Sequence, residues 1–414
     1  MPGRLLLVTP PVVVRRGSRL EIDPHFENNL AGYLSRVDRV AVACSPAAPT
    51  SGSGISNSIP VEETSIADRL DLIVLPEAYR EDRYFRHGRA VRKLLTREIE
   101  RSTYLSFSPH APFDWPTLAA KIAISQRRPY DIEADWDMEN VSWMLWSTMR
   151  PGLNKVRKRL WFRKFIRDFD KCMRHSSVAL LQGADVYRAY KDVAPNPYQV
   201  LNVQVTREDF IVEDDLARKI DAIESGCPLR VAYAGRATDM KGPFDWLKTV
   251  KELKSLGIEL AATWFGDGDQ LEAMKGFVTE NQLADVVSLR GSVDRDQALA
   301  ELRSSHIFLF CHLAAESPRC LVEALASATP IVGYESGYAR GLVAKDGGGE
   351  FVEIGDWKSL ARVVADLDRN RAHLARLVRA AHATALHFDR DAAIRERIDL
   401  IIRHHDASPE QRAL

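Results

Sequence analysis

The 414-residue sequence predicts an α/β protein of two Rossmann-like domains, their parallel sheets facing a cleft between them. Three observations carry that expectation. Two series of short apolar runs alternate with helical stretches, which is the order of parallel α/β sheets. A polar, acidic stretch without a strong period, residues 206–228, separates the series and reads as the connection. Finally, the apolar run 307–311 passes through a polar turn into a helix opened by Pro318. A helix N-terminus at the carboxyl end of a parallel strand receives phosphates.

The first series begins with a buried strand at 4–9, a loop holding Gly17, a helix at 24–34 and a strand at 39–43. Residues 46–60, rich in Ser, Pro and Gly, read as a surface loop. Strand signals return at 72–75, 103–107, 129–134, 178–181 and 198–203, giving a first domain over 1–205. In the second series, strands at 230–234, 260–265, 286–289, 307–311 and 331–334 alternate with helices near 243–256, 269–281, 294–304 and 318–328. That domain covers 229–385. Helices at 356–368, 370–386 and 389–405 close the chain, and 386–414 is expected to return towards the N-terminal domain.

Composition narrows the function. With 57 basic against 57 acidic residues, no overall field draws the chain to nucleic acid. Cys44, Cys172, Cys227, Cys311 and Cys320 have no paired spacing, which fits a reduced compartment and neither a zinc site nor a disulfide framework. No stretch approaches the roughly 20 apolar residues of a membrane span, and the apolar run before Pro10 is short for a signal peptide. A soluble, cytoplasmic protein is the expectation.

Candidate site residues gather behind the strands. Arg236 and Lys241, five apart across a glycine-flanked loop, can reach one diphosphate from two sides, Arg as a fork and Lys as a point charge. Two solvated loop cations are the alternative. Glu316 and Glu323 flank the helix start, where carboxylates suit sugar hydroxyls better than phosphates. Ser317 reads as the cap of that helix, with Pro318 at its first position. Phe265-Gly266-Asp267-Gly268-Asp269 invites a dinucleotide reading but lacks the third glycine, so a tight turn is preferred. In the first domain, Asp135 ends a strand, with Glu133 and Asp137 as rivals, and His110 ends the strand before it.

Ala-Gly-Arg-(x)4-Lys-Gly at 234–242, Phe-Gly-Asp-Gly at 265–268, and Glu-Ser-Pro-Arg-Cys-Leu-Val-Glu-Ala-Leu-Ala-Ser-Ala-Thr-Pro-Ile-Val at 316–332 together resemble a known family. They are similar to the donor half of retaining GT-B glycosyltransferases of family 4, the group 1 glycosyl transferases. The resemblance covers about 229–385 and reaches the N-terminal half in outline only. It implies that Arg236 and Lys241 hold the donor diphosphate and that Glu323 accepts from the ribose hydroxyls. Glu316 then sits near the transferred sugar, and backbone amides around Ser317, Cys320 and Leu321 meet the phosphates. The family has seven residues between these two glutamates; here there are six. By the same resemblance Gly17 approaches the donor phosphates and Asp135, or its rival Glu133 or Asp137, faces the acceptor; His110, at the end of the preceding strand, is a second acceptor-side candidate by its place alone.

The expected reaction moves a sugar, with retention, from a UDP- or GDP-sugar to a saccharide or lipid-linked acceptor, without metal or cofactor. Two alternatives stay open: a non-catalytic nucleotide-sugar-binding partner protein, and an epimerase using the donor alone. Segment 155–174 adds a basic amphipathic helix, with Phe162, Ile166, Phe169 and Met173 on one face. It reads either as a peripheral contact with an anionic membrane or as an ordinary helix burying its apolar face on the sheet.

Overall fold

In the computed structural model, residues 3–47, 58–147, 149, 151–314 and 316–406 are described. Part of the expected loop at 46–60, namely 48–57, lies outside them, as do Ala315 and the last eight residues of 386–414. The chain divides into two compact units. The first runs to Leu201 and takes back the chain from Asp391 on; the second is Asn202–Arg390.

In the first unit, strands β1 (Arg4–Val8), β4 (Arg39–Cys44), β6 (Leu70–Val74), β7 (Tyr104–Phe107), β8 (Asp131–Ala134), β9 (Val178–Gln182) and β10 (Pro197–Val200) form one sheet. Its order is β10-β9-β8-β7-β1-β4-β6, and every pairing is parallel. Along β1, Leu6 and Val8 pack with Leu105, Phe107 and Phe169, while Leu5 and Leu7 pack with Leu30, Val40 and Ile398. Strands apolar at every position are what a sheet covered on both faces requires. Helix Arg390–Asp406 belongs to this unit, with Ile394, Ile398 and Ile401 in its core.

Between β1 and β4 the expected loop is in fact an antiparallel hairpin of β2 (Val13–Arg16) and β3 (Arg19–Ile22), and β5 (Ile59–Pro60), which follows β4, pairs antiparallel with β3 to make a small three-stranded sheet. Gly17 forms its hairpin turn with φ 61°, a conformation that Gly adopts without steric cost. The hairpin escaped notice because only Val13, Val14 and Ile22 are buried, too short a run to read as alternation.

The second unit repeats the topology. Strands β11 (Leu229–Ala234), β12 (Leu260–Phe265), β13 (Val287–Gly291), β14 (Ile307–Phe310), β15 (Ile331–Tyr334) and β16 (Gly349–Val352) lie in the order β13-β12-β11-β14-β15-β16. All are parallel. This is the doubly wound order, in which ligands bind beyond the carboxyl ends of the strands where the winding reverses, here between β11 and β14. Edge strand β16 was absent from the sequence reading, since Gly347, Gly348 and Gly349 mask it.

Residues 206–228 correct an expectation. They do not form a bare connection but fold into the second unit as a short turn, Arg207–Asp209, and a helix, Glu213–Glu224. Leu216, Ile220 and Ile223 bury one stripe of that helix. Its three leading acids, Glu213, Asp214 and Asp215, hide the stripe in composition while suiting a helix N-terminus.

Candidate functional site

The winding reversal of the second unit positions two loops. Behind β11, Gly235 to Gly242 carries Arg236 and a short turn, Asp239–Lys241. Behind β14, His312 to Pro318 leads into helix Arg319–Ala326. Leu313 N–H donates to Met240 O at 2.9 Å, which ties the loops together. Gly242 is required there: its φ is 62°, and a Cβ would lie 2.1 Å from the Cys311 carbonyl oxygen. The Lys-Gly pair of the motif is thus a lysine aimed by a turn that only glycine closes.

Lys241 is no solvated loop cation. Its Nζ donates to Glu316 Oε1, and the two side chains are only 12% and 14% exposed. Arg236 is exposed on the same loop. Beside Glu316 stands His312, its Nδ1 3.7 Å from the same carboxylate oxygen and its Nε2 2.8 Å from the Tyr233 hydroxyl. Burial, with the Lys241 charge nearby, holds the His312 imidazole well below its ordinary pKa. It is neutral at pH 7.

Pro318 takes the N-cap position of helix Arg319–Ala326, and no side chain caps it. Ser317, the expected cap, is therefore one residue ahead of the cap, and Pro318, the expected first helical residue, is the cap itself. The uncapped first turn leaves backbone N–H groups to be satisfied from outside the helix, with the positive end of its dipole. Leu321 contributes only backbone there, since its side chain is buried. Cys320 sits among Lys241, Glu323, Glu316 and Arg319; burial pushes its thiol up to about 12, so it is not a nucleophilic thiolate.

Glu323 projects from the second turn of that helix. Burial raises its pKa, while Arg319 and then Arg295 pull it back. Arg295 is itself held by both Asp209 carboxylate oxygens, at 2.7 and 2.8 Å. The Phe-Gly-Asp-Gly stretch is the tight turn, not a dinucleotide loop: Ala237 N–H donates to Asp267 O at 3.0 Å, and Gly268 N–H to Asp267 Oδ1 at 2.8 Å. It props the cation-bearing loop from the β12 side.

Among first-unit candidates, His110 follows β7 beside that sheet's own winding reversal, between β1 and β7. Its ring lies 4.3 Å from Trp136 and 6.5 Å from Tyr79. Asp135, exposed, follows β8 next to Trp136. Its rivals are otherwise engaged. Glu133 accepts from Tyr33 at 3.4 Å with Arg397 3.9 Å away, and Asp137 caps the next helix through Glu139 and Asn140 N–H. Gly17 lies in the exposed hairpin turn, which accounts for a glycine without any phosphate. Among the described residues no group of His, Cys, Asp and Glu could hold a metal ion.

Residues 218–384 match the family model described as glycosyl transferases group 1. The segment is thus similar to a group 1 glycosyltransferase domain. It contains Arg236, Lys241, His312, Glu316 and Glu323. Similar in sequence is the amylovoran biosynthesis glycosyltransferase AmsK of Erwinia amylovora, 27% identical over 208 residues, 49% of this chain and 51% of that protein. The putative colanic acid biosynthesis glycosyltransferase WcaL of Escherichia coli is 26% identical over 182 residues, 42% of this chain and 45% of its own. The matches thus span about half the length of these relatives. Similar in fold are the HepE protein of Anabaena in complex with UDP (TM-score 0.68, 14% identity, 97% of this chain and 99% of that one) and sucrose-phosphate synthase of Thermosynechococcus elongatus (0.70, 13%, 98% and 100%). Both units share the GT-B fold of these structures.

His312, Tyr233, Arg295 and Arg319 escaped the sequence reading. His312 alone left a signal, as the first polar residue after a buried strand.

Proposed function

We propose that the chain is a retaining, metal-independent glycosyltransferase moving a sugar from a UDP- or GDP-sugar to a hydroxyl of a saccharide or lipid-linked saccharide. The observation that carries this is the Lys241–Glu316 pair, largely withdrawn from water beside Arg236 at the winding reversal. Arg236, Lys241 and the amides opening helix Arg319–Ala326 take the diphosphate, and Glu323 accepts from the ribose. The bond from the anomeric carbon to the diphosphate breaks, and the phosphate oxygen leaves with the electron pair. The acceptor hydroxyl attacks from the same face, and its proton passes to the departing oxygen. Positive charge at the leaving group lowers that barrier without a metal, and unchanged turnover in EDTA is the expected outcome. Asp135 and His110 orient the acceptor. Relatives named for amylovoran and colanic acid synthesis support a polysaccharide or glycoconjugate product. A neighbour crystallised with UDP-glucose supports a uridine donor.

The reading extends to an anionic membrane surface. In helix Leu153–Arg174 only Phe165, Phe169, Cys172 and Met173 are buried, all in its second half. The first half carries exposed Leu153, Val156 and Leu160 among Arg157, Lys158 and Arg159. Phe85, also exposed, has its ring 6.3 Å from Trp161. Apolar side chains interleaved with cations suit an interface that is both apolar and negative. Among the described residues no helix is long and apolar enough to cross a membrane.

A thermal-shift screen of UDP, GDP and their sugars tests the donor assignment. Ligand at 100 times its dissociation constant should stabilise by about 2.7 kcal/mol. Donor binding with no transfer to any offered saccharide would favour the non-catalytic reading, and no shift with any nucleotide would remove the assignment.

A further inference from the structure

Among the described residues, Lys241 and His312 stand where they can hold Glu316, and of these Lys241 is the cation. Lys241 takes Oε1, while His312 Nδ1 waits 3.7 Å from that oxygen, beyond hydrogen-bond distance. His312 is 6% exposed, its ring 5.2 Å from Phe310 and edge-on to Tyr233 at 5.6 Å, so it has little freedom to turn away. A carboxylate only accepts hydrogen bonds. The tautomer that suits Glu316 therefore carries its proton on Nδ1, leaving Nε2 to accept from the Tyr233 hydroxyl at 2.8 Å. A phosphate oxygen competing for Lys241 strips Glu316 of its cation. A carboxylate mostly out of water then needs another donor, because an unsatisfied one is costly.

We propose that His312 is the positioning residue for Glu316: once a diphosphate engages Lys241, its Nδ1–H takes the carboxylate and holds it against the transferred sugar. Tyr233, by donating its hydroxyl proton to Nε2, supports the tautomer that makes this possible. The inference rests on the reading of Glu316 as the sugar-side carboxylate. It makes the site a sequence of exchanges, in which the diphosphate signals its arrival by handing Glu316 from an ammonium to an imidazole.

The test compares His312→Asn, His312→Gln and Tyr233→Phe with the parent chain. An Asn amide nitrogen falls near the place of Nδ1, and a Gln amide nitrogen near that of Nε2, so Asn keeps the donor to Glu316 and Gln loses it. Calorimetry with UDP, GDP, UDP-glucose and GDP-mannose gives the affinity of each, and release of nucleoside diphosphate from the sugar nucleotides gives turnover. Expected for His312→Gln is a loss of about tenfold or more in turnover and in the ratio of sugar-nucleotide to nucleotide affinity. Nucleoside diphosphate affinity itself should stay put, and His312→Asn should recover most of the loss. Tyr233→Phe keeps the imidazole and the packing, and should lower the same ratio; it decides the matter if a His312 variant folds poorly. Unchanged ratios in His312→Gln and Tyr233→Phe, or equal losses with Asn and Gln, would overturn the role of His312. A parent chain that binds none of the four probes removes the donor reading itself, a different and separately visible result.

Discussion

Lys241 and Glu316 neutralise each other across the two loops at the winding reversal, and so compete with any ligand for one another. The pair predicts effects of opposite sign. Glu316→Gln frees the ammonium, so affinity for UDP or GDP should rise severalfold while sugar transfer slows. Lys241→Ala removes a charged partner, at roughly 1.5–3 kcal/mol, and should weaken the same binding by about ten- to a hundredfold. Calorimetry on both variants checks the pair; losses of equal size would mean that Glu316 does not compete with the diphosphate.

Glu323→Gln should separate stability from binding. Because burial raises the Glu323 pKa, the folded chain retains a proton that the unfolded chain gives up. The stability this carries is full below the unfolded glutamate value, about 4.3, and is lost as pH rises through the folded value. Glutamine has no such slope. The variant should therefore gain melting temperature relative to the parent between pH 4 and pH 8. It should also lose about tenfold or more in nucleotide affinity. A nucleotide affinity equal to the parent's would remove the ribose assignment.

Much of this site was legible because the chain reuses loops whose glycines and charges are spaced by the strands they follow. Gly242 had to be glycine for the turn that aims Lys241, so the motif was readable as letters. Arg236, Lys241 and Glu323 follow from it. What the letters could not give was pairing. That Lys241 reaches Glu316 depends on β11 and β14 being neighbours although 72 residues of chain separate their ends, from Ala234 to Ile307. Tyr233 sits inside a strand and read as core. The helix Glu213–Glu224 was missed because its three leading acids outweigh a buried stripe of three apolar residues. Gly17 shows the converse: a glycine placed for its own turn reads the same as one placed for a ligand.

The projecting half of helix Leu153–Arg174 should bind vesicles by charge and apolar contact together. Each cation near an anionic surface is worth about 1 kcal/mol. Replacing Leu153, Val156 and Leu160 by Ser should cut sedimentation with phosphatidylglycerol vesicles about tenfold or more, since each buried side chain contributes on the order of 1.5 kcal/mol. The melting temperature should hold, because all three are exposed. Raised salt should weaken binding in parallel, and phosphatidylcholine vesicles should recover little of the parent chain. Equal sedimentation of parent and variant would assign the segment to ordinary solvated helix.

Asp131 should limit the stability of the first unit at alkaline pH. It begins β8 with its side chain wholly buried, accepting from Ser106 Oγ at 2.7 Å. His405 Nε2 lies 3.8 Å from its other oxygen, and burial followed by the Glu133 charge raises its pKa well above the carboxylate range. The proton it keeps stabilises the fold fully below the unfolded aspartate value, about 3.9. That contribution is lost as pH climbs through the folded value, each unit between the two being worth about 1.4 kcal/mol. Asparagine preserves the acceptor for Ser106 and carries no charge to bury. Asp131→Asn should therefore match the parent near pH 4 and exceed it in melting temperature at higher pH, the gap opening above the unfolded value and levelling off past the folded one. If His405 were protonated and paired with an ionised Asp131, the variant would instead lose stability near neutrality, because removing one partner strands the other's charge. Melting curves of both proteins from pH 4 to 8 distinguish the two, and a variant less stable at pH 7 would replace the neutral carboxyl with an ion pair.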